Sequence, residues 1–123
     1  MTETYETPPI THGEPITDRK SVFQGHSATI VTVGQVRSVL AKIKENRKIA
    51  NAKHNIYAYR IYEKDKNSFI QDCDDDGERE AGKILMLLLE TVDARNVIVV
   101  VTRWFGGINL GSDRYRHIKN AAK

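Results

Sequence analysis

The sequence predicts a single domain that mixes β-strands and α-helices. Two runs of β-branched and aromatic residues, Val97 to Val101 and Asn55 to Tyr62, are typical of strands. Two other segments, Gln35 to Lys48 and Glu80 to Val92, place apolar residues on one helical face. A chain of 123 residues has the length of one domain. We therefore expect one mixed α and β domain with Val97 to Val101 as its central strand.

Five strands and three helices are predicted in chain order. The strands share β-branched or aromatic residues or flanking turn signals, and are Glu14 to Thr17, Ser21 to Val33, Asn55 to Tyr62, Ser68 to Cys73 and Val97 to Val101. Asn55 to Tyr62 and Ser68 to Cys73 form a predicted hairpin. The helices share an apolar stripe or a capping residue, and are Gln35 to Lys48, Glu80 to Val92 and Asp113 to Ala122. Residues 1–13 are polar and are predicted as a flexible lead-in to the domain of residues 14–123.

The composition is that of an ordinary soluble protein. Hydrophobic residues make up 40% of the chain and charged residues 28%. No apolar run approaches the length of a membrane span, and the first ten residues have no apolar core typical of a signal peptide. The single cysteine excludes an internal disulfide and fits a reducing compartment. We therefore expect a cytoplasmic protein.

Charge is distributed unevenly along the chain. From Gln35 to Arg60 there are seven Lys or Arg residues and one acid, whereas from Glu63 to Glu80 there are eight acids and three bases. From Arg103 onward there are five bases and one acid. In a compact domain these blocks could form a basic face and a separate acidic edge, or a mixed and solvated surface. The net charge of +3 does not by itself imply a nucleic-acid partner.

A glycine loop joins the central strand to the last helix. The phosphate-loop pattern fails here because Ser112 occupies the position of the lysine that reaches the phosphates. Two interpretations stay open: the glycines only turn the chain, or the loop forms a surface for an anion or a partner. The candidate binding residues are Arg103, Trp104, Phe105, Gly106, Gly107, Gly111 and Arg114.

Within this loop region, Arg103 and Arg114 are expected to lie at one edge and to meet carboxylates or phosphates. An exposed ring of Trp104 or Phe105 would add an apolar anchor, as in surfaces that bind single-stranded RNA or flexible peptides. We expect at least one of the two rings to be largely buried.

An acidic segment precedes the second helix and comprises Asp74, Asp75, Asp76, Gly77 and Glu78. Asp75 and Glu78 have the spacing of a capping box, and acids at a helix start interact favourably with the helix dipole. The alternatives are a divalent cation held by paired carboxylates, and contact with a basic partner. The calcium-loop pattern is absent, so the sequence favours capping and predicts no metal.

No catalytic constellation is found in the sequence. The four histidines are scattered without metal-ligand spacing, and no G-x-S-x-G segment is present. His26 is predicted to be a packed or edge histidine rather than a base. We therefore predict no catalytic residue, no metal and no cofactor, although an enzyme of unknown reaction stays open.

Four separated segments resemble one family, which includes the bacterial YigZ proteins and eukaryotic IMPACT. The signature is Arg103 to Gly111, and the other similar segments are His54 to Arg60, Asp75 to Glu78 with Ala81 to Lys83, and Gly13 to Ser21. The residues after Gly111 resemble the eukaryotic branch. Eukaryotic members carry an additional N-terminal RWD domain that this chain does not contain. The resemblance therefore implies a C-terminal IMPACT domain of the eukaryotic type.

The resemblance also implies a fold and a function. The implied fold is α+β and similar to the second domain of ribosomal protein S5, with a mostly antiparallel sheet and helices packed on one face. IMPACT-like proteins restrain the general amino-acid control kinase by competing for its ribosome-associated activator, and they also bind monomeric actin. This chain is accordingly expected to be a regulatory interaction domain of a translational stress-response protein. The alternative, suggested by the fold and the basic blocks, is a domain that binds RNA or the ribosome.

Overall fold

The computed structural model of the chain describes residues 7–122. The strands within this range are β1 (Ile10–His12), β2 (Ile16–Asp18), β3 (Ser21–Thr29), β4 (His54–Glu63), β5 (Ser68–Asp74) and β6 (Val97–Trp104). The helices are α1 (Val33–Lys44), α2 (Arg47–Ala50), α3 (Ala81–Thr91) and α4 (Asp113–Ala122). Among these described helices none is long and apolar enough to cross a membrane.

All strand pairs in the described sheet are antiparallel, and β6 lies at its centre. The order is β1-β3-β6-β4-β5, and β2 pairs with β3 beside β1. β6 is central because its continuous apolar run can be buried on both faces. The predictions of a central strand over Val97 to Val101 and of a hairpin, observed as β4 and β5, are confirmed.

Alternate residues of β6 enter two hydrophobic clusters. Val99 and Val101 belong to the cluster formed with α3 and α4, which includes Leu85 and Ile118. Ile98 and Val100 belong to the second cluster, formed with α1 and α2. The predicted α+β fold, with a mostly antiparallel sheet and helices packed on one face, is confirmed by α3 and α4. The 12-residue α1 and the 4-residue α2 contribute the helical residues of the second cluster.

Two element boundaries differ from the prediction because side chains cap the helices. The long strand predicted to reach Val33 ends at Thr29, since Thr32 and Gln35 form a capping box that starts α1. The helix predicted over Gln35 to Lys48 is divided at Asn46. The Oδ1 atom of Asn46 accepts a hydrogen bond from the backbone N of Lys48 at 3.0 Å and starts α2.

The predicted flexible lead-in, residues 1–13, requires a correction at its C-terminal end. Residues 1–6 of that stretch lie outside the described residues. Ile10 to His12 form β1, which pairs with β3 from Ala28 to His26. Such an edge strand is held by backbone hydrogen bonds and has only one apolar residue, so no periodic pattern indicates it. The domain therefore includes residues before Glu14.

Candidate functional site

A buried carboxylate lies between two arginines beside the end of β6. Glu78 and Arg103 are almost completely buried, and Oε2 of Glu78 accepts a hydrogen bond from Nη1 of Arg103. Oε1 accepts a second from Nε of Arg114 at 2.8 Å, and Nε2 of His54 lies 3.7 Å from Oε2. A charge in the interior is tolerated only when it is paired and hydrogen-bonded. We call Glu78, Arg103, Arg114 and His54 the Glu78 cluster.

The structure corrects the expectation that Arg103 and Arg114 present their charges to a partner. Arg103 is only 4% exposed, and its guanidinium carbon lies 5.4 Å from the ring centre of Phe23. Arg114 is half-buried and also donates to the carbonyl of Gly111 and to the hydroxyl of Tyr115. Both arginines therefore connect β6 and α4 to the segment around Glu78. The partner, Glu78, is 25 residues from Arg103 in sequence, so no local pattern reveals the pair.

Three residues of the acidic segment, Asp75, Asp76 and Glu78, each bind a different part of the fold. Oδ1 of Asp75 accepts from the backbone N of Gly82 at 2.7 Å, and its Oδ2 accepts from that of Glu80 at 3.2 Å. Asp75 thus supplies the acceptors that the start of α3 needs. The predicted capping box with Glu78 is corrected, because Glu78 turns to the arginines instead.

Asp76 holds the start of β4, while Asp74 is exposed. Oδ2 of Asp76 accepts from the backbone N of Asn55 at 2.7 Å, and its carbonyl accepts from Nδ1 of His54 at 2.8 Å. Gly77 has a φ of +86°, which a residue with a side chain rarely adopts. Within residues 7–122, no group of three or more His, Cys, Asp or Glu side chains is arranged to hold a metal ion.

Replacing Asp75 with alanine is expected to lower the free energy of unfolding by about 1 kcal/mol, because the N–H groups at the start of α3 lose their acceptor. Urea denaturation followed by circular dichroism measures this. Asp74→Ala is the matched control, since Asp74 is an exposed neighbour.

Millimolar magnesium or calcium is expected to leave the melting temperature unchanged. A rise of several degrees would instead show a bound ion that stabilises the fold.

The two rings at the end of β6 are each accompanied by a lysine. The indole Nε1 of Trp104 donates to the carbonyl of Lys48 at 2.9 Å, and Nζ of Lys48 lies 5.5 Å from the ring centre. Nζ of Lys53 lies 4.7 Å from the ring centre of Phe105. These distances are those of cation–π contacts. We call Lys48, Lys53, Trp104 and Phe105 the aromatic ledge.

The expectation that one of these rings is largely buried applies to Trp104, which packs against the second cluster. Trp104 is half-buried and Phe105 is 44% exposed. The reason is that the sheet ends here, so the rings cover the edge of the core rather than its interior. Ile108 in the following loop is 42% exposed and adds apolar surface. The ledge therefore offers apolar area and two cations to solvent.

The three loop glycines meet different requirements. A Cβ atom on Gly106 would lie 2.2 Å from the backbone C and O atoms of Lys20, so this position requires close backbone approach. Gly107 and Gly111 have φ angles of +89° and +56° and face open space. They are needed for backbone conformation alone. These roles account for the glycines as turn residues.

A buried chain of polar side chains, not predicted from the sequence, crosses four strands. Asn55 donates to the carbonyl of Ile49, so its Oδ1 accepts from the Thr102 hydroxyl at 2.7 Å. The Thr102 oxygen in turn accepts from Nε2 of His26 at 3.0 Å, which leaves Nδ1 of His26 to accept from His12 at 2.7 Å. Burial and the neighbouring His12 lower the pKa of His26 to about 4. His26 is thus a neutral structural residue at pH 7, as predicted.

Protein relatives match almost the entire chain. The sequence model of the Impact N-terminal domain matches residues 19–123. Protein IMPACT-A of Xenopus tropicalis is 61% identical over 118 residues, which are 96% of this chain and 37% of that protein. Protein IMPACT of Homo sapiens is 59% identical over 121 residues, which are 98% of this chain and 38% of that protein. The chain thus spans less than two fifths of the length of these relatives.

Solved structures agree with this assignment. The two-domain translational regulator Yih1 is 40% identical, with a TM-score of 0.66 over 99% of this chain and 46% of that one. A hypothetical protein at 20% identity, with a TM-score of 0.68 over 94% of this chain and 54% of that one, shares the fold. The matching family is described as an N-terminal domain, which does not support the expected C-terminal assignment. The predicted resemblance to IMPACT is confirmed, and the chain belongs to the family of the Impact N-terminal domain.

Proposed function

We propose that this domain is a regulatory protein-interaction domain of a translational stress-response protein in the cytoplasm. Its partner would be the ribosome-associated activator of the general amino-acid control kinase, for which it would compete with the kinase. Monomeric actin is a second proposed partner. The support is membership in the family of IMPACT, together with 40% identity to a translational regulator. The relatives are longer than this chain, which covers 38% of the human protein. The activity of those whole proteins is therefore only proposed for this domain.

The observation that carries the proposal is the exposed aromatic ledge beside Ile108. Aromatic side chains are enriched at protein interfaces, and a neighbouring cation adds an electrostatic attraction to the ring face. Arg103 and Arg114 are occupied by Glu78, so the ledge cations are Lys48 and Lys53. A partner that fits presents an apolar side chain over Phe105 and carboxylates toward the two lysines.

Phe105→Ala and Ile108→Ala are each expected to weaken binding of the purified activator by about 1–3 kcal/mol, because apolar contact area is lost at the centre of the ledge. Isothermal titration calorimetry measures the effect. Ile70→Ala is the matched control, since Ile70 is 38% exposed and lies on β5, away from the ledge. Unchanged affinity in both ledge variants, or an equal loss in Ile70→Ala, would place the activator site elsewhere.

RNA binding is the second candidate, supported by the lysines placed over both rings. If single-stranded RNA binds there, its affinity should fall with salt by a log–log slope of about −0.7 for each phosphate neutralised. Lys53→Ala should make the slope shallower by about that amount, whereas Lys64→Ala, beyond the opposite end of β4, should not. Affinity that is independent of salt, or no binding below about 100 μM, would reject this candidate.

A further inference from the structure

A groove of about 600 Å³ runs between α3 and α4, on the side of these helices that faces solvent. Its apolar lining consists of Ile84, Leu87, Leu88 and Tyr115, and its polar lining includes Arg116 and Lys119. The groove contains no residue of the aromatic ledge. It is therefore a second surface, separate from the one on which the proposed function rests.

The sequence of α3 contains more apolar residues than the domain core uses. Ile84 to Leu89 are six consecutive apolar residues, although a helix with one buried face needs them only at every third or fourth position. Leu85 and Leu89 are buried against the sheet. A second stripe of Ile84, Leu87 and Leu88, spaced i, i+3, i+4, faces the groove. Leu87 is 63% exposed. A second apolar stripe on one helix is typical of a surface that another element covers.

The charged residues that line the groove indicate which kind of partner can bind there. Arg116 and Lys119 are exposed, lie one helical turn apart and form no ion pair with any residue in the described range 7–122. No acidic residue lines the groove. The carboxylate of Glu90, which precedes the lining residue Thr91 in sequence, accepts a hydrogen bond from Nε2 of Gln71 on β5 at 3.2 Å. The groove thus combines an apolar floor with a polar edge whose charged lining residues, Arg116 and Lys119, are both basic.

We propose that the α3–α4 groove binds an acidic amphipathic helix of a partner protein. Leucine-type side chains at i, i+3, i+4 and i+7 would fill the apolar floor, and carboxylates one turn apart would meet Arg116 and Lys119. A second copy of this chain fits less well, because a two-fold contact would place these two cations near their own equivalents. Nucleic acid is disfavoured because the floor is mostly aliphatic and offers few rings for bases to stack on.

The test uses the full 123-residue chain and three fluorescein-labelled synthetic peptides of about 16 residues. The first has leucines at helical spacing with flanking glutamates, the second has lysines in place of the glutamates, and the third is a scrambled version of the first. Fluorescence anisotropy should show saturable binding of the first peptide only. Equal affinity for all three, or no binding of the first, would overturn the proposal.

Substitutions then locate the binding site. Leu87→Ser should weaken the acidic peptide by about tenfold, whereas Val92→Ser should not, although Val92 is equally exposed at 64% and lies outside the groove. The double variant Arg116→Glu with Lys119→Glu should lose the acidic peptide and gain the lysine peptide. Equal losses in Leu87→Ser and Val92→Ser, or no exchange of peptide preference, would contradict the assignment.

Two measurements on the unmodified protein make the result independent of variant folding. Methyl NMR shifts caused by the acidic peptide should occur at Ile84, Leu87 and Leu88, and shifts confined to Ile108 would assign the peptide to the aromatic ledge instead. Light scattering should show a monomer. A dimer that the acidic peptide dissociates would show that a second copy of the chain fills the groove.

Discussion

Replacing Glu78 with alanine is expected to lower the free energy of unfolding by about 3–5 kcal/mol. The variant removes the carboxylate that accepts from both Arg103 and Arg114. Arg103 is then left as a buried charge, because Glu78 is the only acid in an ion pair with it among residues 7–122. The loss is a large part of the total stability of a domain, which is about 5–15 kcal/mol. Urea denaturation followed by tryptophan fluorescence measures it.

Two comparisons separate the ion pairs from other effects of the substitution. Glu80→Ala is the matched control, since Glu80 is an exposed glutamate two residues from Glu78. Its Oε2 lies 3.9 Å from Nζ of the exposed Lys83, and such a surface ion pair contributes little to stability. The double variant Glu78→Leu with Arg103→Met should be more stable than Glu78→Ala, because it leaves no uncompensated charge at Arg103. Equal urea midpoints for Glu78→Ala and Glu80→Ala would show that the Glu78 cluster does not stabilise the fold.

The sequence predicted elements whose signal is local. The β-branched run Val97 to Val101 indicates a strand buried on both faces, and the apolar stripe that includes Leu85 and Leu89 indicates a helix, whatever the rest of the chain does. The bounds of α4, predicted from a capping residue, agree with the structure. What the sequence missed locally is the interruption at Asn46, where a side chain competes with helix continuation.

The candidate site was predicted less well because its contacts join distant residues. The sequence indicates that Arg103 is a surface cation, since a charged residue at a strand end is usually exposed. Whether it is exposed depends on Glu78, whose position is determined by the turn before α3 and not by anything near Arg103 in sequence. Among the four predicted binding residues other than glycine, Phe105 is exposed, Arg103 is buried, and Trp104 and Arg114 are half-buried. The sequence also gives no means of distinguishing glycines needed for space from those needed for conformation.

Gly106 is needed for space and Gly107 for backbone conformation, so replacing each with alanine should change the free energy of unfolding by different amounts. Gly106→Ala should lower the free energy of unfolding by about 3 kcal/mol, the upper end of the range for overpacking. Its Cβ would lie 2.2 Å from the backbone of Lys20, in the turn that joins β2 and β3. Backbone atoms cannot rotate away as the end of a flexible side chain can. The turn therefore has to move, and with it the hydrogen bond from the backbone N of Gly106 to the Ser21 hydroxyl.

Gly107→Ala is the matched control, because it adds the same methyl group one residue away in open space. Its cost of about 1–2 kcal/mol comes only from the positive φ. Gly107→Val should cost more than Gly107→Ala, because a β-branched residue tolerates a positive φ poorly. Urea denaturation gives the three free energies, and amide NMR shifts at Lys20 and Ser21 should change in Gly106→Ala but not in Gly107→Ala. If Gly106→Ala were no less stable than Gly107→Ala, the packing of this loop against the β2–β3 turn would not constrain the fold. The loop would then be anchored mainly through Arg114, which contacts both Glu78 and the carbonyl of Gly111.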